Sequence, residues 1–162
     1  PKITHCKINR LVMSGKNMIR LKPESGEIRL YAVGQQIALS GNTIIGSEDF
    51  NFGQVAIFGS AAWPWNCDQR ELSISGTGML SNLFLHMPCW DVKLSGNVQI
   101  KGAALVKDWI STTLGFTDGN NNALIVPPNT AEILRDRYGI KPESEFVALG
   151  SNRWSLIQMG KE

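Results

Sequence analysis

One short motif limits what this chain can fold into, because it recurs at spacings far longer than a helical turn or a strand alternation. Alternating apolar residues run into Ser-Gly at Val12-Met13-Ser14-Gly15, Ala38-Leu39-Ser40-Gly41, Ser73-Ile74-Ser75-Gly76 and Lys93-Leu94-Ser95-Gly96, with separations of 26, 35 and 20 residues. Self-similarity on this scale marks stacked supersecondary units. Two copies extend further, residues 28–46 aligning with residues 83–102 through Leu-Ser-Gly-Asn-x-x-Ile-x-Gly or a form one residue shorter. Each copy holds about three strand-like pieces of alternating hydrophobicity, separated by Gly-Asn or proline-containing corners.

The residue types follow from what such a coil needs. Inward side chains must stack on those of the next turn, and corners need the positive φ that Gly and Asn tolerate. The pattern therefore predicts an all-β chain, an irregular right-handed β-solenoid (β-helix) of about four rungs over residues 1–114. The 35-residue gap holds an insertion, Ala61 to Arg70, expected to leave the stack as a loop. Residues 115–162 read as a cap belonging to the same domain. They comprise a loop over 115–122, a strand from Ala123 to Val126, and one short C-terminal helix from a Thr130 N-cap to a Gly139 C-cap. A hairpin over 145–157 follows, turning at Gly150-Ser-Asn152 and covering the open end of the coil.

Length and charge narrow the function classes. A chain of 162 residues fits one domain. Its net charge is +2 with the sixteen basic residues spread along the sequence, so no nucleic-acid partner is expected. Apolar stretches such as Leu124 to Val126 are strand-length, and no direct membrane insertion is expected. The opening at Pro1 suits a processed mature protein or an ectodomain.

Three cysteines, Cys6, Cys67 and Cys89, lack the paired spacing of a zinc site. Cys67 in the insertion and Cys89 in the Met87-Pro-Cys-Trp90 corner fall one rung apart. They read either as a disulfide, leaving Cys6 a free thiol, or as two small buried hydrophobes.

Candidate catalytic groups are sparse in the sequence. His5 and His86 lack the neighbours of a metal or acid–base site, and His86 falls at an outward position of Leu83-Phe-Leu-His-Met87. Asp68, Glu71 and Asp91 could approach one another near the cysteine corners, but solvated charge is the simpler reading. Asp118 to Asn122 offers oxygens for calcium, with an Asx turn as its simpler reading. No catalytic, metal-binding or cofactor-binding residue is assigned, no cofactor is expected, and the chain is expected not to be an enzyme. Trp63, Trp65 and Trp90 gather at corners, where exposed indoles would stack on sugar rings or pack into a neighbouring subunit.

The segment from Ile28 to Ile110 resembles the solenoid ectodomain of bacterial type IV pilus-associated proteins, the PilX-like minor pilins and pilus-tip proteins. The resemblance is carried by Ile37-Ala-Leu-Ser-Gly-Asn42, Val55-Ala-Ile-Phe-Gly-Ser60, Leu72-Ser-Ile-Ser-Gly76, Val92 to Ala103 and Leu105-Val-Lys107, with Arg153-Trp154 as a closing strand. It covers about half of the chain and consists of corner and core residues. It implies an extracellular structural or adhesive subunit of a pilus-like surface filament. The partners it implies are other filament subunits, or a membrane-anchored pilin-like helix on a separate chain, with surface glycans as ligands of the Trp63, Trp65 and Trp90 surface. The rival expectations are a phage or contractile-tail fibre or spike and a β-helix carbohydrate-active protein, which would place two carboxylates in a groove.

Overall fold

A computed structural model describes residues 2–22, 24, 26–47, 53–59, 67, 69–77, 79–111, 123–125 and 129–139. The elements in chain order are β1 (Ile3–Ile8), β2 (Leu11–Met13), β3 (Met18–Leu21), β4 (Glu27–Ala32), β5 (Gln36–Leu39), β6 (Ile44–Ser47), β7 (Val55–Gly59), β8 (Glu71–Gly76), β9 (Met79–Gly96), β10 (Gln99–Ser111), β11 (Ala123–Ile125) and α1 (Thr130–Tyr138). Every strand pairing among them is parallel.

Strand pairing places equivalent positions of the repeat beside one another. Ile28, Val55 and Leu83 are register partners, as are Leu30, Ile57 and Leu85. Ile37 is partnered by Leu72 and Leu72 by Val92, and Leu39 by Ile74 and Ile74 by Leu94. Ile45, Leu80 and Ile100 form a further line. Nearly all of these side chains are buried in one apolar core. Alternation along each strand turns every second residue inward, so one register sets the whole core.

The expected right-handed β-solenoid of separate rungs is corrected by the sheet topology. The strands join into a single eleven-stranded parallel sheet, curled into a half-barrel. The two strands that unite it are β9 and β10, long and continuous. The stretch Met87-Pro-Cys-Trp90, read above as a corner, lies inside β9. It carries no Gly or Asn to turn the chain, so the strand continues. The curl is instead taken up by irregularities, Asn82 at φ 56° and register shifts between Lys101 and Gly102 and between Val106 and Asp108.

The Ser-Gly motifs do form turns. Gly15, Gly41, Gly76 and Gly96 all have φ between 75° and 89°, and they stack. A Cβ on Gly76 would lie 2.8 Å from the Gly41 carbonyl oxygen, whereas a Cβ on Gly15 would meet nothing within 4 Å. Two separate constraints therefore act at Gly76, the left-handed backbone and the closeness of the neighbouring turn, and only the first acts at Gly15.

The helix α1 ends at Gly139, whose amide donates back to the Arg135 and Leu134 carbonyls. At its start the residue preceding Thr130 is Asn129, which takes φ 60° and makes no side-chain capping bond. The N-terminus thus lies one residue before the expected cap. The hairpin expected over 145–157 and the loop expected over 115–122 lie outside the described residues.

The glycine stack sets an expected order of stabilities. Gly15→Ala should cost about 1–2 kcal/mol, the penalty of a left-handed alanine alone. Gly76→Ala should cost clearly more, because the added methyl also forces the adjoining turn to move. Urea unfolding of the two variants checks this, and equal losses would show that the turns do not press on one another.

Candidate interaction surface

The outer face of the sheet formed by β1, β4, β7, β9 and β10 carries two lines of side chains. In one line the register partners are Lys7, Tyr31, Phe58, His86 and Leu105; in the other they are His5, Arg29, Ala56, Phe84 and Ala103. The small side chains of Ala56 and Ala103 make room for α1. Its Leu134 is buried against Ala56, Phe84 and Ala103, with Ile133 and Tyr138 packed at the edges.

Polar contacts clamp the helix to the sheet. Arg137 Nη1 donates to Glu27 Oε1 at 2.9 Å, and Arg29 Nη2 donates to Glu27 Oε2 at 3.3 Å. Glu27 is 6% exposed, so its charge depends on these two guanidinium groups for compensation. The Arg29 guanidinium also lies 5.1 Å from the centre of the Tyr138 ring. The Tyr138 hydroxyl donates to the Gly53 carbonyl at 2.6 Å. Burial, reinforced by the Glu27 carboxylate, pushes the Tyr138 phenol up to about 12 from an ordinary 10.0.

Beside the helix the first line of side chains is only partly buried, Phe58 meeting the Tyr138 ring of α1 edge-on. The rings of His5 and Tyr31 stack at 5.7 Å and 16°, and those of Tyr31 and Phe58 at 5.3 Å and 18°. His86 continues the series at 5.9 Å from Phe58, tilted by 51°. The Tyr31 hydroxyl lies 3.0 Å from His5 Nδ1, within hydrogen-bond distance. The His5, Tyr31 and Phe58 rings form one wall of a cleft of about 440 Å³ that Lys7, Val33 and Gly59 also line. The lining is mostly apolar, with an ammonium and an imidazole at the rim. A site of this make-up can stack on a ring-shaped ligand and fix its orientation with one or two polar groups.

The structure treats the earlier candidates differently. Trp90 is 0% exposed and belongs to the core, so it is removed from the expected interaction surface. Its burial has a local cause. Between Met87↔Val106 and Asp91↔Asp108, β9 spends Pro88, Cys89 and Trp90 where β10 spends only Lys107. Inward alternation changes phase there, and Cys89 and Trp90 are both buried. Trp63 and Trp65 lie outside the described residues. Cys67 and Cys89 are joined by a disulfide with their Cα atoms 4.8 Å apart, and Cys6 is a free thiol. Glu71 and Asp91 are register neighbours on another part of the sheet. Each is salt-bridged to a lysine, Glu71 to Lys93 and Asp91 to Lys107, and these contacts raise both lysine pKa values. Asp68 lies outside the described residues.

Comparison of the chain with protein-family models, curated proteins and solved structures finds no match. The site therefore rests on its own geometry. Of the residues that line it only His5 was weighed in the sequence, and not as part of a ring stack, although a signal was there. Tyr31, Phe58 and His86 each stand three residues after the core positions Ile28, Val55 and Leu83, so an alignment of strand starts brings the three rings together.

The Tyr138 phenol makes stability depend on alkaline pH. Its folded-state pKa is raised, so its contribution is fully present below pH 10.0 and is lost as pH rises towards about 12, because only the unfolded chain ionises there. Urea midpoints measured across that range should fall for the wild-type chain and fall less for Tyr138→Phe. Parallel curves would show that the phenol titrates alike in both states.

Proposed function

We propose that this chain is a structural and adhesive subunit of an extracellular, pilus-like surface filament, and that its adhesive site is the cleft floored by His5, Tyr31 and Phe58. The observation that carries the reading is the ring stack along an open cleft on a parallel sheet. Pyranose rings present C–H faces to aromatic side chains, and Lys7 and His5 supply polar contacts at the rim. Surface glycans are thus the ligands that suit the cleft.

The Cys67–Cys89 disulfide suits an oxidising compartment outside the cytoplasm. No helix among the described residues is long and apolar enough to cross a membrane. The anchoring partners in this reading are other filament subunits or a pilin-like helix chain, as the family resemblance implies. The corner and core residues shared with pilus-associated ectodomains point the same way.

A glycan array probed with the intact chain should show binding. Tyr31→Ala or Phe58→Ala should weaken it roughly tenfold, about 1.4 kcal/mol, while Lys93→Ala on a different part of the sheet should leave it unchanged. Binding that is absent, or indifferent to Tyr31 and Phe58, would remove the cleft from the adhesive role.

A further inference from the structure

The first three strands of the chain share a property that, among the described strands, only β11 also has. Among the described residues, β1 pairs only with β4, β2 only with β5 and β3 only with β6. Each therefore has one side with no strand partner among the described residues, and the hydrogen bonds show which groups face it. The Lys2 and Ile8 carbonyls accept from the Glu27 and Val33 amides, the Met13 carbonyl from Ser40, and the Asn17 carbonyl from Ile44. In a parallel ladder the N–H and C=O of a residue point to the same side, and successive residues alternate. The main-chain groups of Ile3, Val12 and Met18 consequently turn to the side without a described strand partner.

Side chains add two further features to the same three strands. Ile3, Val12 and Met18 are large apolar residues exposed at 39%, 54% and 54%. Residues 1–22 also hold Lys2, Lys7, Arg10, Lys16, Arg20 and Lys22, six of the sixteen basic residues, and none of the fourteen acidic ones. All six are exposed. This basic stretch spans three consecutive strands, each of which is the last strand of its own ladder.

We infer that β1, β2 and β3 offer docking edges for a partner protein that adds extended strands in which apolar and acidic residues alternate. The open main-chain groups select an extended polypeptide, since they are satisfied by a strand's own amides and carbonyls. The apolar side chains favour alternation, and the excess of cations selects carboxylates. A second copy of this chain is the weaker fit, because the chain carries a net charge of +2 and pairing like edges would set cations against cations. The inference concerns the opposite feature from the cleft, a strand edge instead of a sheet face, and holds whatever the cleft binds.

The test uses the full-length chain and a short fluorescein-labelled peptide alternating valine and glutamate, followed by fluorescence anisotropy. The peptide should bind, and a valine–lysine peptide should not. Ile3→Pro and Val12→Pro each remove an outward N–H and should weaken binding about tenfold. A triple variant, Arg10→Glu, Lys16→Glu and Lys22→Glu, should weaken it at least as much; it alters no backbone group, and so decides the matter if the proline variants misfold. Hydrogen exchange at the Ile3, Val12 and Met18 amides should slow when the peptide is added. Three results would overturn the inference: no binding of the valine–glutamate peptide, equal or tighter binding of polyglutamate, heparin or phosphatidylglycerol vesicles, or amides already protected in the free chain. The last would mean that a segment of the same chain or a second copy fills the edge.

Discussion

The close approach of successive Ser-Gly turns governs the rest of this fold. Gly41, Gly76 and Gly96 each sit where a Cβ would fall within about 3 Å of the preceding glycine's main chain, nearer than non-bonded carbon atoms settle. The turns can stack only because the side chain is missing, and the left-handed φ can be held only at low cost by glycine. Once stacked, they hold β2, β5, β8 and the second half of β9 in one register. That register brings Ile37, Leu72 and Val92 together in the core. A slip of one residue would turn this whole set outward.

The same constraint reaches the outer surface. With β4, β7 and β9 in register, Tyr31, Phe58 and His86 fall into line, as do Ala56 and Phe84. The second line is flat enough at its alanines to seat α1, and the first carries rings too large to be covered with it. Cleft and helix seat are thus two outcomes of one pairing, distinguished by side-chain volume. The Glu27, Arg29 and Arg137 contacts then set where the helix stops and the open cleft begins. Breaking such a clamp by removing the carboxylate alone would leave two guanidinium groups facing one another, which is why partly buried charge clusters act as units.

Much of this was legible in the residues. The Ser-Gly turns, the inward lines of Leu, Ile and Val, and the helix ending at Gly139 are local patterns that report on their own neighbourhood. The misreading at Met87-Pro-Cys-Trp90 has a physical origin. Proline and tryptophan suggest a corner, yet with no residue able to take positive φ the strand runs on and absorbs the extra residues as an irregularity opposite Lys107. That shift turned Trp90 inward and joined the strands into one curled sheet instead of separate rungs. The stack of His5, Tyr31, Phe58 and His86 went unseen because each ring is isolated in its own strand, and stacking is a relation between strands.

The amino-acid order by itself determined a β-rich chain with stacked turns, an apolar side to each strand and a short helix after the strands, because periodicity and glycine placement act over a few residues. Tertiary structure alone decided that the sheet is continuous, that Trp90 is core and that Cys67 meets Cys89. Each of those depends on which strand lies beside which, and parallel pairing joins residues about 20 to 35 positions apart.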